Sequence, residues 1–367
     1  MADYAKINNV EAANIAKVNN VAKAAIANLH GIETPSAAAA TQWVVGFNDA
    51  GIGYAASTDL TSWSTFYALT NKSTDFVNVA YGTNGSGVER WMFVWTRAAG
   101  EVVTINDITT ENAGGVNKDI KLYATAYCND TWIVGGQQIA GQQLIYTSLD
   151  GTSMTTVDLS GLANIGTEDI YGFAHDGVSK VVFTNDEQVF YSTDKGASWA
   201  VGLSDIENSN SVGKNVLYIK DQDCFVLVYK QSADMKFRVA SADDLTSWTS
   251  GVSADASGQT TSISSLAKKE MAAAGSTFVI CYAQSFQRFT VSGTTITNGL
   301  LQTGQLPYDG VNDIATDGIS WITCHNDGEL SISTDDGASF TSLHTSLQAG
   351  AGDDEIETIA CNVILPV

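Results

Sequence analysis

Five carboxylates stand at matching places along this 367-residue chain. Asp75, Asp119, Asp169, Asp313 and Glu355 each directly precede Phe76, Ile120, Ile170, Ile314 or Ile356 at the head of an apolar run. If a repeated fold gathers them at one mouth, they could build a cation site, a general acid or an acceptor for sugar hydroxyls. The expected arrangement is nonetheless a merely solvated acidic rim. Glycosidase chemistry needs two carboxylates about 5 Å or about 6.5–9.5 Å apart. With 40 Asp and Glu present, candidate pairs carry no weight by number alone. His175 and His325 sit in Ala-His-Asp-Gly and Cys-His-Asn-Asp, which read as inter-strand corners. No phosphate-cradling glycine loop, nucleophile elbow or His-Glu-x-x-His is present. The residues therefore assign no catalytic, cofactor-binding or metal position, and the expected cofactor is none.

Charge narrows the partners. A formal net charge of −22 argues against nucleic acid or an anionic membrane surface. No apolar run approaches the roughly 18 residues of a membrane span, and no charged start followed by an apolar stretch marks a secretion signal. Cys128, Cys224, Cys281, Cys324 and Cys361 lie in apolar text without a Cys-x-x-Cys pair. Buried thiols made in a reducing cytoplasm are expected.

The elements that must position these groups repeat. Five segments share a turn chemistry: Ser57-Thr-Asp-Leu-Thr-Ser-Trp63, Ser148-Leu-Asp-Gly-Thr-Ser-Met154, Ser192-Thr-Asp-Lys-Gly-Ala-Ser-Trp199, Ser241-Ala-Asp-Asp-Leu-Thr-Ser-Trp248 and Ser333-Thr-Asp-Asp-Gly-Ala-Ser-Phe340. Asp59, Asp150, Asp194, Asp243 and Asp335 are the expected acceptors for backbone N–H groups of their own turns. Glycine supplies positive φ there. The opening serines lie 91, 44, 49 and 92 residues apart, which is one or two units of about 45. Two diverged copies then belong near residues 100 and 287, giving seven units. Four strands per unit is what a propeller blade of this length requires.

Each unit reads as a moderately apolar strand, a turn, a strongly apolar strand, a third strand and the Asp turn. The second strands are clear, from Trp43-Val-Val-Gly-Phe47 to Trp321-Ile-Thr-Cys324. First strands are expected at 76–80, 120–127, 170–174, 215–219, 266–274 and 312–316. The first unit has only an alanine run before Trp43, whereas 356–364 is an orphan. Pairing that C-terminal strand into the Trp43 blade closes an all-β seven-bladed propeller and removes the open edge.

The repeated Ser-x-Asp-x-Gly-x-Ser-Trp/Phe turn resembles the Asp-box, or BNR, repeat of sialidase-like propellers, over roughly residues 40–367. The resemblance implies that the box is structural and remote from any active site. A sialidase would need three converging arginines, a Tyr/Glu nucleophile pair and an acid. This chain has only Arg90, Arg97, Arg238 and Arg288 and no Arg-Ile-Pro, so a sialidase is not expected.

Ahead of the ring, residues 1–35 form a separate segment, with 36–367 as the propeller. Ile7, Val10, Ile15, Val18, Val21, Ile26, Leu29 and Ile32 recur with an 11-residue period. Such a stripe predicts a helical coil, or two short helices broken at Asn19-Asn20 and His30-Gly31. Too short to stand alone, it needs a partner surface. Ile15-Ala-Lys-Val-Asn-Asn-Val-Ala-Lys23 resembles N-terminal repeats of structural proteins from tailed phages, particularly marine ones. That resemblance implies a non-enzymatic virion component assembled in the host cytoplasm: a tail fibre, tail-associated protein or capsid appendage. Its partners would be other virion proteins bound through residues 1–35 and copies of itself, a trimer by analogy. The alternatives are a propeller that binds or cleaves a host-surface glycan and a bacterial assembly factor.

Overall fold

The computed structural model describes residues 6–7, 10–11, 17–18 and 21–22. Between 41 and 363 it describes all but 49–52, 65–66, 69–75, 96–100, 107–109, 115–119, 139–142, 163–169, 171, 186, 207–210, 232–233, 254–270, 283, 346 and 348–354. The chain divides into two units, Met1–Ala40 and Thr41–Val367.

In the first unit, Lys6–Ile7 pairs antiparallel with Val10–Glu11, and Lys17–Val18 pairs with Val21–Ala22. These pairings correct the helical expectation for this stretch. Ile7 faces Val10 and Val18 faces Val21 across a two-residue connection, Asn8-Asn9 or Asn19-Asn20. A spacing of three is shared by one helix face and by cross-strand partners around a two-residue turn. The 11-residue period therefore repeats a hairpin. The stripe members Ile15, Ile26, Leu29 and Ile32 lie outside the described residues.

The second unit is built of seven four-stranded antiparallel sheets. Six are meanders in chain order, such as Phe173–His175, Val181–Thr184, Val189–Ser192 and Ala200–Leu203. In the remaining sheet the C-terminal strand Glu355–Cys361 is innermost, pairing with Trp43–Asn48 in the register Cys361 to Trp43. Innermost strands touch in a cycle: Phe76–Thr83, Ile120–Cys128, Phe173–His175, Ser211–Ile219, Met271–Ala274, Val311–Thr316, Glu355–Cys361, and back to Phe76–Thr83. The architecture is an all-β propeller.

Alternation explains the packing. Successive strand residues face opposite sides of a sheet, and both sides of each sheet are covered by neighbours. Val44, Tyr54, Val79, Trp91 and Phe93 join one pair of adjacent sheets, while Trp43, Val45, Ile322, Cys324 and Ile359 join another. Trp43, Trp91, Trp132 and Trp321, each at or near the start of a second strand, are fully buried. All five cysteine thiols are buried and none forms a disulfide. Burial pushes the Cys128 and Cys361 thiols up to about 12, so neither is a nucleophile at neutral pH.

Candidate functional site

Two regions gather polar groups: the repeated Asp turns, and the cavity along the ring axis. The carboxylates of the turns are the most regularly placed. In Ser192–Trp199, Ser192 Oγ donates to Asp194 Oδ1 at 2.7 Å, and Gly196 N donates to Ser192 Oγ at 2.8 Å. Ser198 gives both its N–H and its hydroxyl to Asp194, at 2.8 and 2.6 Å. The Trp199 indole N–H closes on Gly196 O at 3.0 Å. Ser333–Phe340 repeats this around Asp335, with Ser339 donating twice. Asp59 and Asp150 accept likewise from Ser62 and Ser153.

In the copy at Ser241–Trp248 the acceptor is shifted. Asp244, not Asp243, takes the Thr246 N–H at 3.1 Å and the Thr246 hydroxyl at 2.6 Å, while Asp243 pairs with Lys180 at 3.4 Å. An Asp-Asp sequence offers two carboxylates for one place, and the local turn geometry selects between them.

The bonds leave an electrostatic mark. Asp59 is held down to about 2 by the Ser62 and Thr61 backbone N–H groups. Burial raises Asp194 and Asp335, yet the serine bonds outweigh it and leave both below the usual carboxylate range. Carboxylates stabilised in their charged form and occupied by their own turn are poor general acids.

Cations clasp these turns from the preceding sheet. Arg90 donates to the Asp150 carbonyl, Lys180 meets Asp243, and Arg288 reaches the Asp336 carboxylate, with its Nε 2.8 Å from Asp336 O. Arg238 stays within its own sheet, donating to Thr249 O at 3.3 Å with its guanidinium 5.9 Å from the Tyr229 ring centre. Arg97 lies outside the described residues. The described arginines are thus structural, and they do not converge on one carboxylate-binding point.

Of the five acids expected at one mouth, Asp75, Asp119 and Asp169 lie outside the described residues. Glu355, half-buried, opens the C-terminal strand. Asp313 departs from the solvated-rim expectation. It is 7% exposed and ties two sheets together, accepting from Thr358 Oγ1 at 2.8 Å and Ile359 N at 3.0 Å. Asp313 and Thr358 each follow a register shift in an inner strand. A bulge frees backbone groups from the ladder, and a buried carboxylate satisfies one of them.

Inner strands from all seven sheets line the axial cavity of about 190 Å³. That is below the roughly 300–1,000 Å³ of a typical ligand pocket. His175, on its wall, is 3% exposed, and burial lowers it to about 4, so the imidazole is neutral at pH 7. Its Nδ1 has no partner among the described residues. His325 is also buried and lowered to about 4; its Nε2 lies 2.8 Å from Thr323 Oγ1 and 2.9 Å from Ser331 Oγ. Among the described residues no group of three or more His, Cys, Asp or Glu is arranged to hold a metal. No helix among them is long and apolar enough to cross a membrane.

A further polar pattern, which no spacing in the sequence announced, lies where inner strands end. Tyr218 OH donates to Asp223 at 2.7 Å; burial and that carboxylate raise the phenol. Tyr81 is raised by burial and then by Glu89, and Tyr127 OH donates to Thr83 O at 2.6 Å. A tyrosine followed several residues later by an acid is the only signal, and it is too common to single out.

The turns after inner strands and the Asp turns emerge at one end of the ring. Asn129 Nδ2 donates to Val178 O, Gly293 N to Gln222 Oε1 and Lys195 N to Ser179 O, at 2.8–2.9 Å. Among the described residues, this end carries Glu89, Asp130, Asp176, Asp221, Asp223 and Asp317 in its inner turns. Its outer turns add Asp59, Asp150, Asp194, Asp243, Asp244, Asp335 and Asp336. Against these thirteen carboxylates stand Arg90, Lys180, Lys195, Lys220 and Arg288.

No protein-family model and no curated protein matches the sequence. Solved structures do. A protein from Lactobacillus plantarum is 11% identical, with a TM-score of 0.61 over 87% of this chain and 98% of that one. A 6-phosphogluconolactonase-like protein from Bacteroides uniformis is 9% identical, with a TM-score of 0.56 over 88% and 99%. YCF48, in a structure with a bound D1 peptide, is 11% identical, with a TM-score of 0.50 over 73% and 81%. At such identities the likeness is one of fold: the chain is similar to known β-propellers.

Proposed function

We propose that this protein is a non-enzymatic structural component of a tailed-phage virion. Residues 1–35 attach it to other virion proteins, and a seven-bladed propeller of the Asp-box type is displayed. The observation that carries the reading is the duplicated hairpin in the first unit. Ladders of two residues per strand have no stability of their own in water, so a repeat of them needs a surface to fold against. The ring supports a scaffold role, because the Asp-turn carboxylates are occupied by their own turns and Asp313 by a neighbouring sheet. Like-charged rings of −22 each repel one another unless a neutral element ties them. Lys6, Lys17 and Lys23 against Asp3, Glu11 and Glu33 make residues 1–35 neutral.

Mass spectrometry of purified particles tests the location. A version lacking residues 1–35 is expected to be absent from particles and monomeric by light scattering, with the full chain oligomeric. Incorporation of the shortened form would overturn the reading.

A second reading is a bacterial assembly factor that holds a polypeptide partner, for which the YCF48 structure with its D1 peptide is the supporting observation. Neighbouring portal, tail-tube or capsid genes would separate the two.

A further inference from the structure

Among the described residues, four large apolar side chains are exposed: Val88, Leu149, Val178 and Ile319. All four belong to the end that carries the inner turns and the Asp turns. Ile319 is 77% exposed and Leu149 67%. Val178 and Ile319 hold the same place in matching turns, Asp-Gly-Val-Ser and Asp-Gly-Ile-Ser, and their backbones donate to Asp176 and Asp317 at 2.8 and 2.9 Å. The turn needs only that N–H, which any residue but proline supplies. An aliphatic side chain pointing into water there has no role in the turn itself.

The surroundings of these four side chains say what could cover them. Among the described residues, the same end carries thirteen carboxylates against five cations, three of which already clasp a turn. A second copy of this chain would bring its own −22, and nucleic acid would be repelled in the same way. A sugar would want an aromatic face, whereas the four exposed groups are aliphatic.

We propose that this end of the propeller is a docking surface for a basic polypeptide segment bearing aliphatic side chains. Lysine or arginine groups meet the carboxylates and speed encounter, and aliphatic groups cover Val178, Ile319, Leu149 and Val88. The turns are already fixed by their own hydrogen bonds, so binding orders little of this surface. The inference concerns the ring alone and stands apart from attachment through residues 1–35.

The full chain titrated with a twelve-residue Lys/Leu peptide, followed by fluorescence anisotropy, tests it. Matched Lys/Ser and Glu/Leu peptides serve as references. Expected is binding of the Lys/Leu peptide that weakens at least tenfold from 50 to 300 mM salt, with Lys/Ser at least fivefold weaker and Glu/Leu not bound. V178S/I319S and, separately, D130N/D221N should each weaken binding at least threefold with the melting temperature unchanged. At the opposite end, E187Q/D327N should leave it unaltered. Equal affinity for Lys/Ser and Lys/Leu would overturn the proposal. So would equal losses from variants at both ends, absence of binding at millimolar peptide, or self-association of the full chain abolished by V178S/I319S.

Discussion

The sheet Phe173–Leu203 and the sheet Met271–Gln302 do the same job with different third turns. In the first, the third strand is only Val189–Ser192, and the Asp turn carries the chain to a short fourth strand, Ala200–Leu203. In the second, two eight-residue strands, Ser285–Ser292 and Thr295–Gln302, meet at a two-residue turn. The wide turn brings Trp199 back to pack on Phe183, with ring centres 4.9 Å apart. The tight turn has no such wedge; Ile296 packs there instead, and Gln222 from the preceding sheet accepts from Gly293 N. An Asp turn stabilises itself locally, whereas the tight hairpin draws on a longer ladder and a neighbour. The ring tolerates either because its core lies between sheets.

The largest expected effect falls on closure, which neither turn type can replace. Deleting 355–367 strips the inner strand from the Trp43 sheet and exposes Val45, Phe47 and an unpaired edge. The truncated chain is expected to aggregate without a cooperative melting transition; a sharp transition near the full-length midpoint would contradict this.

Acid should separate the two sheets next. His175 belongs to the Asp-turn sheet, while the Met-Ala-Ala-Ala inner strand of the other holds nothing titratable. His175 and His325 have folded values of about 4, below the 6.5 of an unfolded histidine. The unfolded chain therefore takes up protons first. Stability is full above about pH 6.5 and falls as the pH drops toward 4, by about 3 kcal/mol per histidine. The Asp turns, whose carboxylates stay charged to lower pH in the folded ring, add their own loss only below about pH 5, where unfolded carboxylates begin to take up protons. Urea midpoints at pH 7 and 4.5 should show the loss, and His175→Asn should remove about half of it. A midpoint flat across that range would refute the assignment.

A smaller effect tests the local character of the Asp turn. Asp194→Ala removes the acceptor for both Ser198 donors and should cost about 1–2 kcal/mol, the lower part of the range for unpaired donors because the turn is partly exposed. Denaturant unfolding measures it, and a change below 0.5 kcal/mol would mean that water replaces the carboxylate.

The smallest effect compares two glycines at positive φ. Gly293 has φ +57° and open space where a Cβ would go, so Gly293→Ala should cost about 1 kcal/mol from backbone strain alone. Gly196 has φ +85°, and a Cβ there would sit 3.1 Å from the Ile133 side chain. Gly196→Ala should therefore be the more damaging, and the reverse order in thermal melts would break the comparison.

How much could be read in advance follows from the range of each interaction. Second strands were plain from runs such as Phe225–Tyr229, because strands covered on both sides need continuous apolar text. Pairing of the C-terminal strand with Trp43 was legible because the unit at the Trp43 end lacked a first strand. The Asn-Asn hairpins were misread as helix, since Ile7 and Val10 fit both a helix face and a cross-strand pair. In Ser241–Trp248 the spacing named Asp243, and backbone geometry chose Asp244. Asp313 read as a rim acid because its true partners, Thr358 and Ile359, are about 45 residues away.

The sequence by itself determined the periodic features: the apolar second strands, the Ser and Asp positions of the turns, the excess of negative charge and the 11-residue repeat. These depend on neighbours within a few residues, where residue type limits backbone choice. Only the tertiary structure decided which carboxylates are spent inside the fold, which cations clasp a neighbouring turn, and that the exposed aliphatic residues among those described share one end. Those outcomes require sheets distant in sequence to meet, and local spacing carries no information about which side chain will be waiting on the other side.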